Sequence, residues 1–292
     1  KAIPSLEPSP GGLPRPSLKK IVAEIPYAVW YLHNTMNKWL YSLILASVAL
    51  STIFTSATTA APAPDRPGSA RVPEWKTWGH SVKDRPIVVR RSGDTSSPFK
   101  VLVVGSIHGD EPEGMKVVDR LNRRFHKGVN GVDLWTIRTV NPDGIKRGTR
   151  KNAHGVDLNR NFPFRFDPGL TNGYESGPGP SSEPETRTVE RIARRGDFDL
   201  AIWYHQPWGE TLVPCNSAGP AARRYSQLSG LARDHECDGY VPGSAIGWMH
   251  HRFGTKAFVV ELDGYGKVKH TQIKRHARAV VLLAKEERTT GP

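Results

Sequence analysis

Four short apolar runs constrain the fold of this chain more than any other feature of its sequence. Each is a continuous stretch of aliphatic, β-branched and aromatic residues bounded by turn residues: Lys100–Ile107, Asp133–Val140, Asp199–Tyr204 and Lys256–Val260. Continuous runs of this length, without polar alternation, are typical of strands that are buried on both faces of a sheet. The sequence therefore predicts a sheet that is covered on both sides.

Helical patterns lie between these runs. In Glu113–His126, apolar residues recur at three- and four-residue steps and fall on one face of a helix. Three more segments are predicted to be helical: Ser182–Arg195, Pro220–His235 and Val268–Glu286. Strands that alternate with helices indicate the α/β class, and we expect a single domain with a mixed, mostly parallel sheet flanked by helices.

The segment before this domain has the character of an export signal. An apolar run, Trp39–Ala57, is preceded by Lys38 and followed by small residues and prolines, which predicts a secretory signal peptide over 36–61. A membrane anchor is the alternative, but the run contains several Ser and Thr residues, which weaken it as a span. We expect a secreted or cell-wall-associated protein with no stable membrane anchor after cleavage.

The remaining boundaries follow from composition. Residues 1–35 have no initiator Met, so they are either upstream sequence read in frame before a start at Met36, or a disordered extension. Residues 62–84 are a Pro-rich lead-in, and we expect residues 85–290 to form the single folded domain.

The net charge indicates what kind of molecule the protein binds, and the cysteines indicate whether it contains a disulfide. The formal net charge of +13 favours anionic partners such as nucleic acid, acidic lipid or a cell-wall polymer. The two cysteines, Cys215 and Cys237, are expected to pair if the chain is exported, and two reduced, buried thiols are the alternative.

Each of the four apolar runs leads directly into polar residues. The first is followed by His108–Glu111, the second by Asn141–Gly144, the third by His205 and Gln206, and the fourth by Glu261–Gly264. In open α/β sheets, ligands bind beyond the carboxyl ends of the strands. Four polar strand ends therefore predict one shared cleft.

Three residues at these strand ends are of the type that binds zinc. His108 and Glu111 are three positions apart, so both can reach one ion from a turn that enters a helix, and His205 ends another strand. A catalytic zinc site takes three protein ligands of this kind and keeps one position open. A solvated turn and a core histidine are the alternatives, and we expect one zinc per chain.

Glu261 is the candidate general base. It follows a buried strand at the rim of the same cleft, where a carboxylate is costly to bury without a partner. A carboxylate beside an activated water can take a proton and return it to a leaving amine. Asp263 is the rival candidate, and a structural ion pair is the non-catalytic alternative.

The stretch 147–163 is basic and rich in Gly and Asn. A guanidinium matches a carboxylate with two parallel hydrogen bonds, so Arg160 with Asn159 predicts a clamp for an anionic substrate end. A second arginine here can stabilise an oxyanion. No aromatic stacking pattern accompanies the stretch, so we expect no nucleic-acid partner.

Six motifs in order resemble the carboxypeptidase-A-like zinc metallopeptidases over roughly residues 85–285. They are Gly105–Glu111, Asn141–Gly144, Gly155–Pro163, Ser182–Thr186, Tyr204-His205 and Val260-Glu261. The resemblance implies a zinc-carboxypeptidase-like fold, with His108, Glu111 and His205 as zinc ligands and Glu261 as base. It also implies that Asn159 and Arg160 grip the free carboxylate of a peptide substrate. Arg150 would polarise the scissile carbonyl, with Arg147 as second choice, and Tyr240 would match the family's mobile tyrosine.

Two features narrow the function that this resemblance implies. Gly243–Trp248 is similar to the specificity-pocket region and has no acidic residue, so a preference for C-terminal Lys or Arg is not expected. The segments Gly155–Pro163 and Tyr204–Pro207 look most like those of bacterial murein-peptide amidases, which cut the γ-D-glutamyl–diaminopimelate bond. We therefore expect a zinc peptidase that acts on murein-derived peptides. The alternatives are a general carboxypeptidase, a related deacylase and a non-catalytic wall-binding protein.

Overall fold

The apolar runs form the centre of one large sheet. The computed structural model describes residues 73–234 and 241–290. Their strands are β1 (Glu74–His80), β2 (Pro86–Gly93), β3 (Lys100–Val104), β4 (Asp133–Ile137), β5 (Leu200–His205), β6 (Glu210–Thr211), β7 (Ala232–Arg233) and β8 (Lys256–Glu261). Their helices are α1 (Glu113–Arg124), α2 (Pro142–Arg147), α3 (Pro184–Gly196), α4 (Gly219–Ser229), α5 (Ala245–Phe253) and α6 (His270–Thr289), and a short 3-10 turn covers Leu158–Arg160.

The strand order in the sheet is β1-β2-β4-β3-β5-β8-β6-β7. The four central strands, β4, β3, β5 and β8, are mutually parallel. Strands β1 and β2 pair antiparallel at one edge, β2 runs antiparallel to β4, and β6 runs antiparallel to β8. The predicted class, a mixed sheet with a parallel centre flanked by helices, is confirmed.

Both faces of the central strands are buried. Val101 and Val103 of β3 point into one core, which α1, α4 and α6 complete. Leu102 and Val104 point into the other core, which α3 and α5 complete. Because successive side chains of a strand face opposite sides, strands covered on both sides must be apolar at every position. This is the physical origin of the four continuous runs.

Three of the elements that the sequence patterns did not predict are short or polar. Part of the predicted lead-in, residues 74–80, is the edge strand β1, whose side chains are mostly exposed and so carry no apolar pattern. Strand β2 contains the buried Arg90, which donates to Asn122 Oδ1 at 3.1 Å and to the His126 carbonyl at 2.6 Å. Helix α2 is only six residues long, and its N-cap Asn141 accepts a hydrogen bond from the Gly144 amide.

The parallel centre brings the polar strand ends to one edge of the sheet. In the pairing of β5 with β8, His205 lies directly beside Glu261. After β3, the chain passes so close to α2 that a Cβ atom on Gly109 would overlap the backbone of Gly144. Glycine at this position therefore allows the turn that carries His108 to pack against the start of α2.

Several predicted features fall outside the described residues. These are the extension 1–35, the signal peptide 36–61, Tyr240 and Cys237. Cys215 is disulfide-bonded. Within the described residues, no helix is long and apolar enough to cross a membrane.

Candidate metal centre

The three predicted zinc ligands meet at the carboxyl edge of the sheet. His108 follows β3, Glu111 precedes α1, and His205 is the last residue of β5. Their ligand atoms all lie within 4.8 Å of one another, and all three side chains are buried. The spacing of His108 and Glu111 therefore brings both side chains together, as predicted. The neighbouring strand β5 supplies the third predicted ligand, His205.

The carboxylate of Glu111 lies between the two imidazoles. Its Oε1 is 2.9 Å from His108 Nδ1, and its Oε2 is 2.8 Å from His205 Nδ1. Arg150 Nη1 also donates to Oε1 at 3.1 Å. Both histidines thus turn the same ring nitrogen toward one carboxylate.

Asp157 orients His108 from behind, a role that the sequence patterns did not reveal. Its Oδ1 lies 2.9 Å from His108 Nε2, and its Oδ2 accepts a hydrogen bond from Arg150 Nε at 2.9 Å. A histidine that donates one ring N–H to a carboxylate keeps the lone pair of the other nitrogen for a metal. The signal was its place beside the Asn159–Arg160 pair, but the sequence cannot show that Asp157 faces His108.

The electrostatics of this cluster suit a divalent cation. Burial alone would raise the pKa of Glu111, but the charge of His205 and hydrogen bonds from both histidines hold it well below its usual range. The pKa of Asp157 is likewise held low, since the charge and hydrogen bond of His108 outweigh the effect of burial. Burial lowers the pKa of His205 despite the nearby Glu111, whereas the charges and hydrogen bonds of Asp157 and Glu111 raise the pKa of His108 despite its burial. An ionised carboxylate and a neutral imidazole are the forms that bind zinc.

Glu261 lies at the same edge of the sheet, and one of its carboxylate oxygens makes no hydrogen bond to the described residues. Its side chain is buried, and its Oε2 has no hydrogen-bond partner among the residues that the structure describes. Burial, and then repulsion from Glu111, raise the pKa of Glu261 to about 8. A buried carboxylate oxygen with no partner is costly unless a ligand satisfies it. The rival Asp263 is exposed and does not line the cavity, so the geometry favours Glu261.

These residues line a cavity of about 370 Å³. Its other lining residues include Arg150, Asn159 and Arg160, together with Ser244 and Ile246 from the predicted specificity region. The acidic side chains that line it, among the described residues, are Asp110, Glu111 and Glu261. The predicted metal ligands, the predicted base and the predicted carboxylate clamp therefore share one cavity.

The clamp residues are held in place before any substrate binds. Asn159 Oδ1 accepts a hydrogen bond from the Ala245 amide at 3.0 Å, which leaves its side-chain NH2 group for a ligand. The guanidinium groups of Arg150 and Arg160 lie 5.2 Å and 5.1 Å from the centre of the Tyr174 ring. Tyr174 therefore contacts both guanidinium groups through cation–π interactions, and sequence reasoning did not single it out.

One predicted site residue lies elsewhere. Arg147, the second choice for polarising the carbonyl, does not line the cavity, and its guanidinium donates a hydrogen bond to the carbonyl of Asn152. It lies in the last turn of α2, where a basic side chain interacts well with free helix carbonyls. Arg150 occupies the cavity instead. The predicted mobile tyrosine, Tyr240, lies outside the described residues.

Comparison with known proteins agrees with this geometry. A family model described as zinc carboxypeptidase matches residues 71–235, which is more than half of the 292-residue chain. The chain belongs to the zinc carboxypeptidase family. Membership confirms the predicted metallopeptidase class and the predicted zinc cofactor, and the predicted ligands His108, Glu111 and His205 lie together as a group that could hold one ion.

Individual relatives of this family member align over part of their length. Bacteriocin BCN5 of Clostridium perfringens is 27% identical over 212 residues, which cover 65% of this chain and 23% of that protein. Murein peptide amidase A of Escherichia coli (strain K12) is 27% identical over 148 residues, 46% of this chain and 60% of that protein. The chain thus spans less than two thirds of the length of both relatives.

A solved structure shares the fold. The murein-tripeptide amidase from Escherichia coli O157 superposes with a TM-score of 0.56 at 22% sequence identity, covering 76% of this chain and 96% of that chain. At this identity the likeness concerns the fold alone.

We expect Asp157→Ala to weaken zinc binding by roughly 10- to 100-fold, because residues that orient a metal ligand typically have effects of this size. A chelator competition with the purified protein measures the zinc affinity. Asp119→Ala is the matched control, since Asp119 pairs with Arg138 on the surface. An Asp157→Ala protein that holds zinc as tightly as the control contradicts the assignment.

Proposed function

We propose that this protein is a zinc-dependent metallocarboxypeptidase or amidase that hydrolyses a bond near a free carboxylate end, with murein-derived peptides as substrates. One observation carries the proposal. Glu261, whose buried Oε2 has no hydrogen-bond partner among the described residues, lines the same cavity as three zinc-type ligands and two arginines. A non-catalytic wall-binding protein would gain nothing from keeping this costly carboxylate.

Each residue of the cavity has a role in this reaction. Zinc, when bound, supplies a Lewis acid that polarises a carbonyl and activates water near neutral pH. Glu261 takes a proton from the attacking water and delivers it to the leaving nitrogen. Arg150 stabilises the negative charge that develops on the carbonyl oxygen. Asn159 and Arg160 hold the free carboxylate and so position the scissile bond.

The choice of murein-derived peptides rests on three points. Ser244 and Ile246 contribute no charge to the cavity, so they offer no partner for a C-terminal Lys or Arg. The chain carries a net charge of +13, and the part from residue 62 onward still carries +10 (36 basic minus 26 acidic residues), which suits an anionic substrate. Murein peptide amidase A is among the proteins that the chain resembles. A general carboxypeptidase is the second candidate, and it would use the same catalytic residues.

A comparison of two substrates tests this choice. We expect the zinc-loaded protein to cleave a murein tripeptide at its γ-D-glutamyl–diaminopimelate bond with a higher kcat/KM than a blocked C-terminal dipeptide. Mass spectrometry identifies the products, and chelation should abolish the reaction. Cleavage of the dipeptide alone favours the general carboxypeptidase. If neither is cleaved, the binding-protein alternative replaces the proposal.

Two substitutions distinguish the proposed role of Glu261 as general base from that of Arg160 in binding the substrate carboxylate. Glu261→Gln keeps size and zinc but removes basicity, so we expect kcat to fall by about 10²- to 10⁴-fold. Arg160→Ala should raise KM by roughly 10- to 100-fold, because hydrogen bonds to charged groups contribute about 1.5–3 kcal/mol. Steady-state kinetics and metal analysis measure both effects.

Arg165→Ala is the control for this pair, because Arg165 is exposed and does not line the cavity. A Glu261→Gln enzyme that retains its zinc and runs within a few-fold of the parent would exclude Glu261 as the base.

We also propose that the protein is exported, with translation starting at Met36 and cleavage close to residue 60. The apolar run Trp39–Ala57, with Lys38 before it and small residues after it, supports this proposal. N-terminal sequencing of the protein from culture medium should give a start between residues 58 and 64. A product that retains residues 1–35 contradicts it.

A further inference from the structure

Gln206 is a buried amide to which the proposed reaction assigns no role. It directly follows His205, the last residue of β5, and only 3% of its surface is exposed. Its Oε1 accepts a hydrogen bond from the Glu113 amide at 3.0 Å, and its Nε2 donates to the Gly264 carbonyl at 2.6 Å. One side chain therefore joins the end of β5 to the first residue of α1 and to the turn after β8.

The backbone of the turn 206–208 contacts both carboxylates of the predicted site. The Gln206 amide donates to Glu111 Oε2 at 3.3 Å. Two residues further on, the Trp208 backbone amide donates a hydrogen bond to the Glu261 carboxylate. The first residue of this turn thus holds a predicted zinc ligand, and its last residue holds the predicted base.

The turn 206–208 is also paired with the turn that follows β8. The Gly264 amide donates to the Pro207 carbonyl at 2.8 Å. Because this contact joins only the two turns, it does not fix them relative to α1. The Gln206 side chain supplies such a link, since it contacts α1 at its first residue, two positions after Glu111.

The two side-chain contacts of Gln206 require a group that both donates and accepts. A carboxylate accepts hydrogen bonds but cannot donate to the Gly264 carbonyl, and an ammonium group donates but cannot accept from the Glu113 amide. A buried backbone group that is left without a partner destabilises the structure around it. An amide of the length of glutamine meets both requirements at this position.

We propose that Gln206 is a positioning residue that sets the placement of Glu261 relative to Glu111. Its side chain fixes the turn 206–208 against α1 and against the turn after β8, and the two amides of the turn then orient the two carboxylates. The inference rests on the proposed function, which gives Glu261 its role as base. Proton transfer requires hydrogen-bond reach, so a small shift of this turn slows the chemical step more than it weakens substrate binding.

Kinetics of Gln206→Met test the proposal. Methionine is similar in length to glutamine but provides neither the amide donor nor the carbonyl acceptor. In zinc-saturated protein we expect kcat to fall by about 10- to 100-fold, since a displacement of ~1 Å can lower a rate by about 10²-fold. The KM for the murein tripeptide should stay within about 3-fold, because Asn159 and Arg160 still bind its carboxylate.

A second variant keeps the test decisive if Gln206→Met does not fold. Gln206→Asn retains the amide but is one methylene shorter, so it cannot reach both the Glu113 amide and the Gly264 carbonyl. It should show the same selective loss of kcat.

A control on α1 separates positioning from a general loss of stability. Asn122 Oδ1 accepts hydrogen bonds from Arg90 and Thr136, at 3.1 Å and 3.0 Å, and Asn122 does not line the cavity. Asn122→Ala should therefore lower the melting temperature and leave kcat unchanged. A fall in kcat as large as that of Gln206→Met would show that the effect is one of stability and would overturn the proposal.

A double substitution shows whether Gln206 acts through the base. In the Glu261→Gln background, Gln206→Met should have little further effect on kcat, because the group that it positions has already lost its function. If Gln206→Met lowers kcat by the same factor in this background as in the parent, it does not act through Glu261 and the proposal fails.

Zinc affinity, measured by chelator competition, does not depend on turnover. Gln206→Met should weaken zinc binding by roughly 10-fold, as expected for a residue that orients a metal ligand, and Asn122→Ala should not. If the parent cleaves neither substrate, the proposed function fails, while weaker zinc binding in Gln206→Met still supports its positioning of Glu111. Zinc affinity and kcat that match those of the control in both Gln206 variants overturn the inference.

Discussion

The carboxylate of Glu111, shared between two imidazoles, is the interaction on which the site depends. One oxygen faces His108 and the other faces His205, at 2.9 Å and 2.8 Å. This arrangement requires the ends of β3 and β5 to be neighbours in the same direction, which a parallel pair provides. The parallel pairing of β5 with β8 then places Glu261 beside His205. The order of the strands β3, β5 and β8 in the sheet therefore sets the order of His108, His205 and Glu261 along its edge.

Burial of so many charges is stable only because each has a partner of opposite sign or a polar contact. Asp157 is fully buried and contacts both His108 and Arg150. Removing one partner from such a group leaves a buried charge uncompensated, which costs several kcal/mol. Glu261 differs, since its Oε2 has no hydrogen-bond partner among the described residues, and the same holds for Oδ1 of Asp110 in the same cavity.

The sequence predicted the parts of this structure that leave a local pattern in the chain, either an unbroken apolar run or functional residues a few positions apart. The central strands were visible because burial on both faces forces an unbroken apolar run, as Leu200–His205 shows. The zinc ligands were visible because His108 and Glu111 stand close in the chain. Strand β1, by contrast, is an exposed edge whose order comes from pairing with β2, and pairing leaves no local pattern. The contact of Asp157 with His108 spans 49 positions of sequence, so only the folded chain reveals it.

The contacts of Arg150 with Asp157 and Glu111 balance buried charges, and they also position its guanidinium for the proposed reaction. Its Nε donates to Asp157 and one terminal nitrogen donates to Glu111, while Tyr174 covers its face. A guanidinium has five donors in a rigid fork, so these two anchors still leave N–H groups for a substrate oxygen. A lysine has a single flexible ammonium group and could not brace two carboxylates while presenting a further fixed donor. In the proposed reaction, the arginine that stabilises the developing charge is therefore held by Glu111, a predicted zinc ligand, and by Asp157, which contacts the predicted ligand His108.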